Sequence, residues 1–188
     1  MLLLSAGVLL IANPKLPDPN FERTVVLVLA HGDDGSVGVV LNRPGRLAVA
    51  DRFGAWDPGL VGDEVIFEGG PVNPQAVIGL AVCTTGSAPG SPEISMSEVI
   101  PHVGMVDLER PPDGALEMLA VLRVFAGYAG WSPGQLAGEV AAGGWWIVEA
   151  QPGDIATLQP EALWRDVLRR QRGPLALVSS YSKAPELN

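Results

Sequence analysis

The chain has 188 residues, with 12 Lys plus Arg against 21 Asp plus Glu for a net charge of −9, and it contains 23 Gly, 17 Pro and one Cys. That length suits one domain on one core, since single cores serve chains up to ~250 residues. An apolar share of 47% with 18% charge excludes collagen, a coiled coil and a disordered chain, and the lone Cys83 excludes a disulfide scaffold.

Met1 to Ala12 is uncharged but is cut off by Pro14 and Lys15, well short of the ~20 residues a membrane-spanning helix needs. It lacks the basic lead and small-residue cleavage site of a signal peptide, so it reads as a buried strand over Val8 to Ala12. With no glycosylation sequon and one thiol, the expected compartment is the cytoplasm, without membrane contact. Thr24 to Ala30 and Val37 to Leu41 are also strands, apolar enough to be buried on both faces. The Asp34-Gly35 step between them predicts an antiparallel hairpin. Asn42-Arg43-Pro44-Gly45 ends the third strand, and a short helix around Leu47 to Phe53 precedes a Trp56-Asp57-Pro58-Gly59 turn.

Val65 to Phe67, Ala76 to Val82 and Leu122 to Phe125 read as further strands, and Ile100 to Val106 as one more. Thr84 to Glu93 is a Gly, Ser, Thr and Pro loop. Ser132 as N-cap, Pro133 at N1 and Gln135 at N3 predict a capping box opening a helix from Pro133 to about Ala142, with Trp131 and Leu136 as a hydrophobic staple and Gly143-Gly144 as the stop. Trp145 to Val148 is a strand, and Pro160 to Arg172 an amphipathic helix facing inward with Trp164, Val167 and Leu168. Its Arg165, Arg169, Arg170 and Arg172 are expected to offset the helix dipole ahead of Gly173.

Gly130-Trp131-Ser132-Pro133-Gly134 matches the G-x-S-x-G nucleophile elbow. Two objections weigh against a serine hydrolase: Pro133 has no N–H for an oxyanion hole, and His31 and His102 both precede Ser132. His31, Asp33, Asp34, Glu64 and Glu68 are metal-capable types, yet no fixed-spacing ligand motif joins them, so turn acids beside a surface histidine are expected. His102 is read as a structural histidine in an apolar run, and Cys83 as a buried, inert thiol. Gly69-Gly70-Pro71-Val72 is either an anion-holding backbone or a tight turn.

Taken together, Gly7-Val8-Leu9-Leu10-Ile11-Ala12, Asp18-Pro19-Asn20-Phe21-Glu22-Arg23-Thr24-Val25, His31 with Gly35 and Gly38, and Asn42-Arg43-Pro44 resemble the AlgH/YqgE family of bacterial proteins. Gly69-Gly70-Pro71-Val72, the block from Phe125 to Leu136, Trp145 and the Leu187-Asn188 ending extend the resemblance from about Gly7 to the C-terminus. It implies an α+β fold in which a bifurcated mixed β-sheet forms a pseudo-barrel with flanking helices, as one domain over residues 1–188. The family has no established activity, although one branch carries the name of a transcriptional regulator of alginate production.

Two functional readings follow. One is a regulatory or partner-binding protein that acts on gene expression indirectly, since a pI near 4.6 repels phosphate backbones and argues against direct nucleic-acid contact. The other is a protein or enzyme that binds a small anionic ligand through His31, Asn42, Arg43, Gly69 and Gly70, because the Arg43 guanidinium fork suits carboxylate or phosphate. On that reading His31 lies near Arg43, whose alternative role is an ion pair with Glu64 or Glu68. No catalytic residue, metal or cofactor is assigned.

Overall fold

The structure is a computed structural model that describes residues 2–53, 56, 65–84, 96–110 and 118–180. The expected loop after Thr84, the turn after Trp56, Glu64 and the Leu187-Asn188 ending lie outside the described residues.

Strand β1 (Val8–Ala12) pairs antiparallel with β10 (Trp145–Glu149) on one side and with β2 (Val25–Gly32) on the other. Alternation then decides what each side chain meets. Leu9, Ile11, Val25, Leu27, Val39 and Leu41 enter one core, whereas Val8, Leu10, Ala12, Val26, Val28 and Val40 enter a second on the opposite face. This is why the three runs are apolar without interruption. The first core is closed by Trp164, Val167 and Leu168 of α4 (Leu163–Arg169), the second by Phe21, Trp131, Leu136 and Trp145.

β2 turns back through Asp33 and Asp34 into β3 (Gly35–Val40), with His31 opposite Ser36 and Gly32 opposite Gly35. Gly35 therefore flanks the turn and is not one of its two central residues. At φ +119, a Cβ there would meet the Trp131 carbonyl at 2.3 Å.

The sheet forks at the long β9 (Leu119–Trp131). One edge of β9 carries β6 (Val72–Cys83), antiparallel along most of its length. The other edge is shared: Ala129, Gly130 and Trp131 pair antiparallel with β3, while Phe125 and Ala126 pair parallel with β5 (Val65–Glu68), which also pairs with β4 (Pro44–Ala48). Gly69 and Gly70 fill the fork. Gly69 donates its N–H to Ala126 and accepts from Val40, and a Cβ on Gly70 would lie 2.2 Å from the Tyr128 carbonyl carbon. Neither an anion nest nor a simple turn describes them; they let three strands approach. The main path of the curled, mostly antiparallel sheet runs β10-β1-β2-β3-β9-β6-β8-β7, where β7 is Met96–Ile100 and β8 is Val103–Val106, a half-barrel with short helices outside it.

Four expectations are corrected. Ile100 to Val106 is not one strand: Pro101 cannot continue a ladder, and the chain reverses at an exposed His102 with φ 68, so His102 is a turn residue outside any apolar core. Ser132 is not the N-cap. Gly134, left-handed at φ 73, precedes α2 (Gln135–Ala141), and the surviving half of the capping box is Gln135 Oε1 accepting the Ser132 N–H at 3.0 Å. The helix expected from Pro160 to Arg172 is a 3-10 turn, Pro160–Ala162, followed by α4, which ends at Arg169. The short helix near Leu47 is confined to α1 (Ala50–Phe53), because Leu47 belongs to β4.

Candidate functional site

An antiparallel hairpin separates its turn from its open end, and this decides which predicted residues meet. His31 stands at the turn of β2–β3, across from Ser36. Asn42 follows β3 at the other end, where its side chain reaches residues 23 and 25: Val25 N–H donates to Asn42 Oδ1 at 2.9 Å, and Asn42 Nδ2 donates to the Arg23 carbonyl at 2.9 Å. The structure therefore does not bring His31 to Asn42 and Arg43. Past the irregularity between Val28 and Ala30, the register that sets Val26 opposite Val40 continues to position 42 opposite position 24, a full strand away from His31.

At the open end lies a cleft of about 750 Å³ lined by Glu22, Arg23, Asn42, Arg43, Glu161 and Arg165, with Pro19, Ala162 and Trp164 completing it. Three chain segments supply its cations. Arg43 gives its backbone carbonyl to the Glu68 N–H at 2.8 Å, which ties it to β5, and its guanidinium reaches the Glu22 carbonyl at 3.5 Å. It makes no ion pair among the described residues. Of the alternative ion pairs, the one with Glu68 is not formed: a backbone bond ties Arg43 to Glu68 and leaves the guanidinium at the cleft.

Arg23 sits at φ 52, a left-handed conformation that costs a non-glycine residue roughly 1–2 kcal/mol. The two Asn42 hydrogen bonds hold it there. Its guanidinium lies 5.2 Å from the centroid of Trp164, a side chain that is 2% exposed and whose Nε1 donates to the Ala12 carbonyl at 3.0 Å. Burial pushes the Arg23 pKa below its ordinary value, the nearby charge of Arg165 pushes it further down, and Glu22 opposes both. Arg165 rides on α4, whose Trp164, Val167 and Leu168 are buried, so core packing fixes its position.

The arginines around α4 therefore do three different things, where a single dipole-offsetting group was expected. Arg165 faces the cleft, and Arg169 pairs with Asp166 on the surface. Arg170 grips both carboxylate oxygens of buried Asp154 and donates to the Glu149 carbonyl at 2.8 Å, clamping α3 (Pro152–Ile155), α4 and β10 together.

A second, shallower cleft of about 670 Å³ lies at the turn end, with His31, Asp33, Asp34, Ser36, Tyr128 and Ser132 among its lining residues. Two of its polar groups engage each other: His31 Nδ1 and Ser36 Oγ are 2.7 Å apart. Ser132 is exposed beside Pro133, so the residue after it still offers no N–H to an oxyanion. Among the described residues no group of His, Cys, Asp and Glu could hold a metal ion. Cys83 is buried with its Sγ 3.9 Å from Met96 Sδ, and burial, then Glu98, pushes its thiol pKa up.

Sequence reasoning missed Arg23, Glu22, Glu161 and Arg165 as site residues. Arg23 was visible only inside a family-like segment, and nothing local joins it to Arg165. Glu139 was also missed. It accepts from Trp131 Nε1 at 3.1 Å, Trp145 Nε1 at 2.8 Å and Gln135 Nε2 at 2.9 Å, and so ties α2 to two core tryptophans.

Residues 9–176 match the model of a domain family described as AlgH-like (DUF179). A UPF0301 protein from Streptomyces avermitilis is 48% identical over 183 residues, covering 97% of this chain and 94% of the relative. A UPF0301 protein from Thermobifida fusca is 42% identical over 187 residues, covering 97% and 94%. A crystal structure of a Corynebacterium diphtheriae protein superposes with a TM-score of 0.88 at 31% identity, covering 96% of this chain and 94% of that one. The solution structure of AlgH from Pseudomonas aeruginosa gives 0.64 at 27%, covering 94% and 93%. No helix of the described residues is long and apolar enough to cross a membrane.

Proposed function

The chain belongs to the AlgH-like family, and we propose that this member is a binding protein for a small anionic ligand, held in the cleft between the open end of the β2–β3 hairpin and α4. One observation carries the reading. Arg23, Arg43 and Arg165 come from three chain segments to line one cleft, Arg43 without an ion pair among the described residues, and burial first, then the repelling charge of Arg165, push the Arg23 pKa down. An anion between guanidinium groups removes that repulsion and makes charge-assisted, bidentate hydrogen bonds.

In a chain of net charge −9, such a local cluster of cations recruits a small anion and not a long phosphate backbone, whose other phosphates meet a repulsive field. Nucleic acid is accordingly not its partner. The reading of a protein that acts indirectly on gene expression gains no specific surface among the described residues; ligand occupancy of this cleft is the means we assign to any such role.

Titration of the protein with inorganic phosphate at fixed ionic strength, followed by calorimetry or thermal shift, tests this. Saturable binding is expected, weakened about tenfold or more in Arg43→Lys, where the bidentate fork becomes a point charge. Binding that is absent, or that is as tight in Arg43→Lys and Arg165→Gln as in the native chain, overturns the proposal. The same protein is expected not to retard duplex DNA at physiological salt.

A further inference from the structure

The cleft that faces the three arginines is not uniformly basic. Glu22 and Glu161 line it too, from the turn before β2 and from the 3-10 turn before α4. Neither carboxylate forms an ion pair among the described residues, although three guanidinium groups share their cleft. An anion alone would use the cations and be repelled by these two acids. A ligand that uses the whole cleft needs hydrogen-bond donors as well as negative charge, because an ionised carboxylate only accepts.

The lining offers no stacking platform. Trp164 is its one aromatic residue, 2% exposed, with Arg23 already over its ring. A planar base would have nothing to stack on. A volume of about 750 Å³ is within the range of small-metabolite sites and far larger than one phosphate requires.

Resting on the anion-binding reading above, we infer that the ligand class is a polyhydroxylated phosphate monoester, of the sugar-phosphate or polyol-phosphate type. The dianionic phosphate is held by Arg23, Arg165 and Arg43, and its hydroxyl groups donate to Glu22 and Glu161. Two hydrogen-bonded acids then distinguish this ligand from inorganic phosphate, and the lack of a stacking surface distinguishes it from a nucleotide.

The test is calorimetric titration of the whole chain at constant ionic strength with inorganic phosphate, glucose 6-phosphate, ribose 5-phosphate, free glucose and AMP, each repeated on Glu161→Gln. At least one sugar phosphate is expected to bind about tenfold or more tightly than inorganic phosphate, since hydrogen bonds to charged groups are among the stronger ones. Free glucose should not bind measurably. Glu161→Gln should lose most of the tenfold gain while keeping, or slightly improving, its affinity for inorganic phosphate. If phosphate binds and no sugar phosphate binds more tightly, or AMP binds most tightly of all, the ligand class is wrong and the anion site stands. If neither phosphate nor any ester binds, both readings fall together. A gain that survives Glu161→Gln and Glu22→Gln alike also overturns the inference, because the hydroxyl groups would not be read by the acids.

Discussion

The two ends of the β2–β3 hairpin are built from the same strands and reach opposite states. At the turn, His31 and Ser36 are neighbours across the ladder and hydrogen-bond to each other beside the shallower cleft. At the open end, Arg23, Arg43 and Arg165 come from separate segments, and two of them repel. A hairpin turn brings together residues close in sequence, whose hydrogen bonds are easily completed. An open end is where distant segments meet, and only there can like charges be assembled and held by the rest of the fold. Held repulsion of this kind marks binding sites, though structural networks also perturb charged groups.

The largest expected effect breaks the fork that sets the two ends apart. Gly70→Ala puts a Cβ 2.2 Å from the Tyr128 carbonyl carbon, with backbone on the facing side, and is expected to abolish the cooperative urea transition. Gly134→Ala is the control: it shares a positive φ but meets nothing within 4 Å, and should cost only about 1 kcal/mol.

Next comes the clamp behind the arginine cleft. Asp154→Ala leaves Arg170 without its carboxylate in a half-buried position and should lower the unfolding free energy by about 3 kcal/mol, measured by urea titration. If α4 is positioned by this clamp, phosphate affinity falls along with stability.

A sharper comparison sets Asn42→Ala against Ser36→Ala. The first removes the acceptor of the Val25 N–H and a donor to the Arg23 carbonyl, and should cost about 2 kcal/mol and weaken phosphate binding by loosening Arg23. The second removes one hydrogen bond at the turn, should cost about 1 kcal/mol, and should leave phosphate binding untouched. Equal effects on binding would erase the distinction between the two ends.

The smallest effect concerns the start of α2. Gln135→Ala removes the acceptor for the Ser132 N–H and a donor to Glu139, and should cost about 1 kcal/mol, whereas Ser132→Ala should stay within about 0.5 kcal/mol. Thermal melts of the two variants decide it, with the reverse ranking restoring Ser132 as the cap.

What the sequence determined by itself is what local pattern can encode. Unbroken apolar runs at Val8–Ala12, Val25–Leu29 and Val39–Leu41 required burial on both faces, and two separate cores supply it. Acidic residues flanked by glycines marked the β2–β3 turn, and the blocks from Asp18 to Val25 and from Phe125 to Leu136 were enough for the family and its curled, forked sheet. Asn42 and Arg43 were legible as strand-end residues, but only the fold shows that the Asn42 amide is spent on Val25 and the Arg23 carbonyl while Arg43 lines the cleft. Tertiary structure decided the rest. Gly69 and Gly70 read as a turn or an anion nest until β9 lay against them, since a glycine's sequence does not record which backbone will approach it. His31 and Arg43 are 12 positions apart and were expected together, yet antiparallel register sends them to opposite ends of one hairpin. Arg23 and Arg165 are far apart in the chain and meet because Trp164 is buried against the sheet, under Arg23. Register and burial are long-range quantities, set by the summed packing of the core, and the site exists only where they converge.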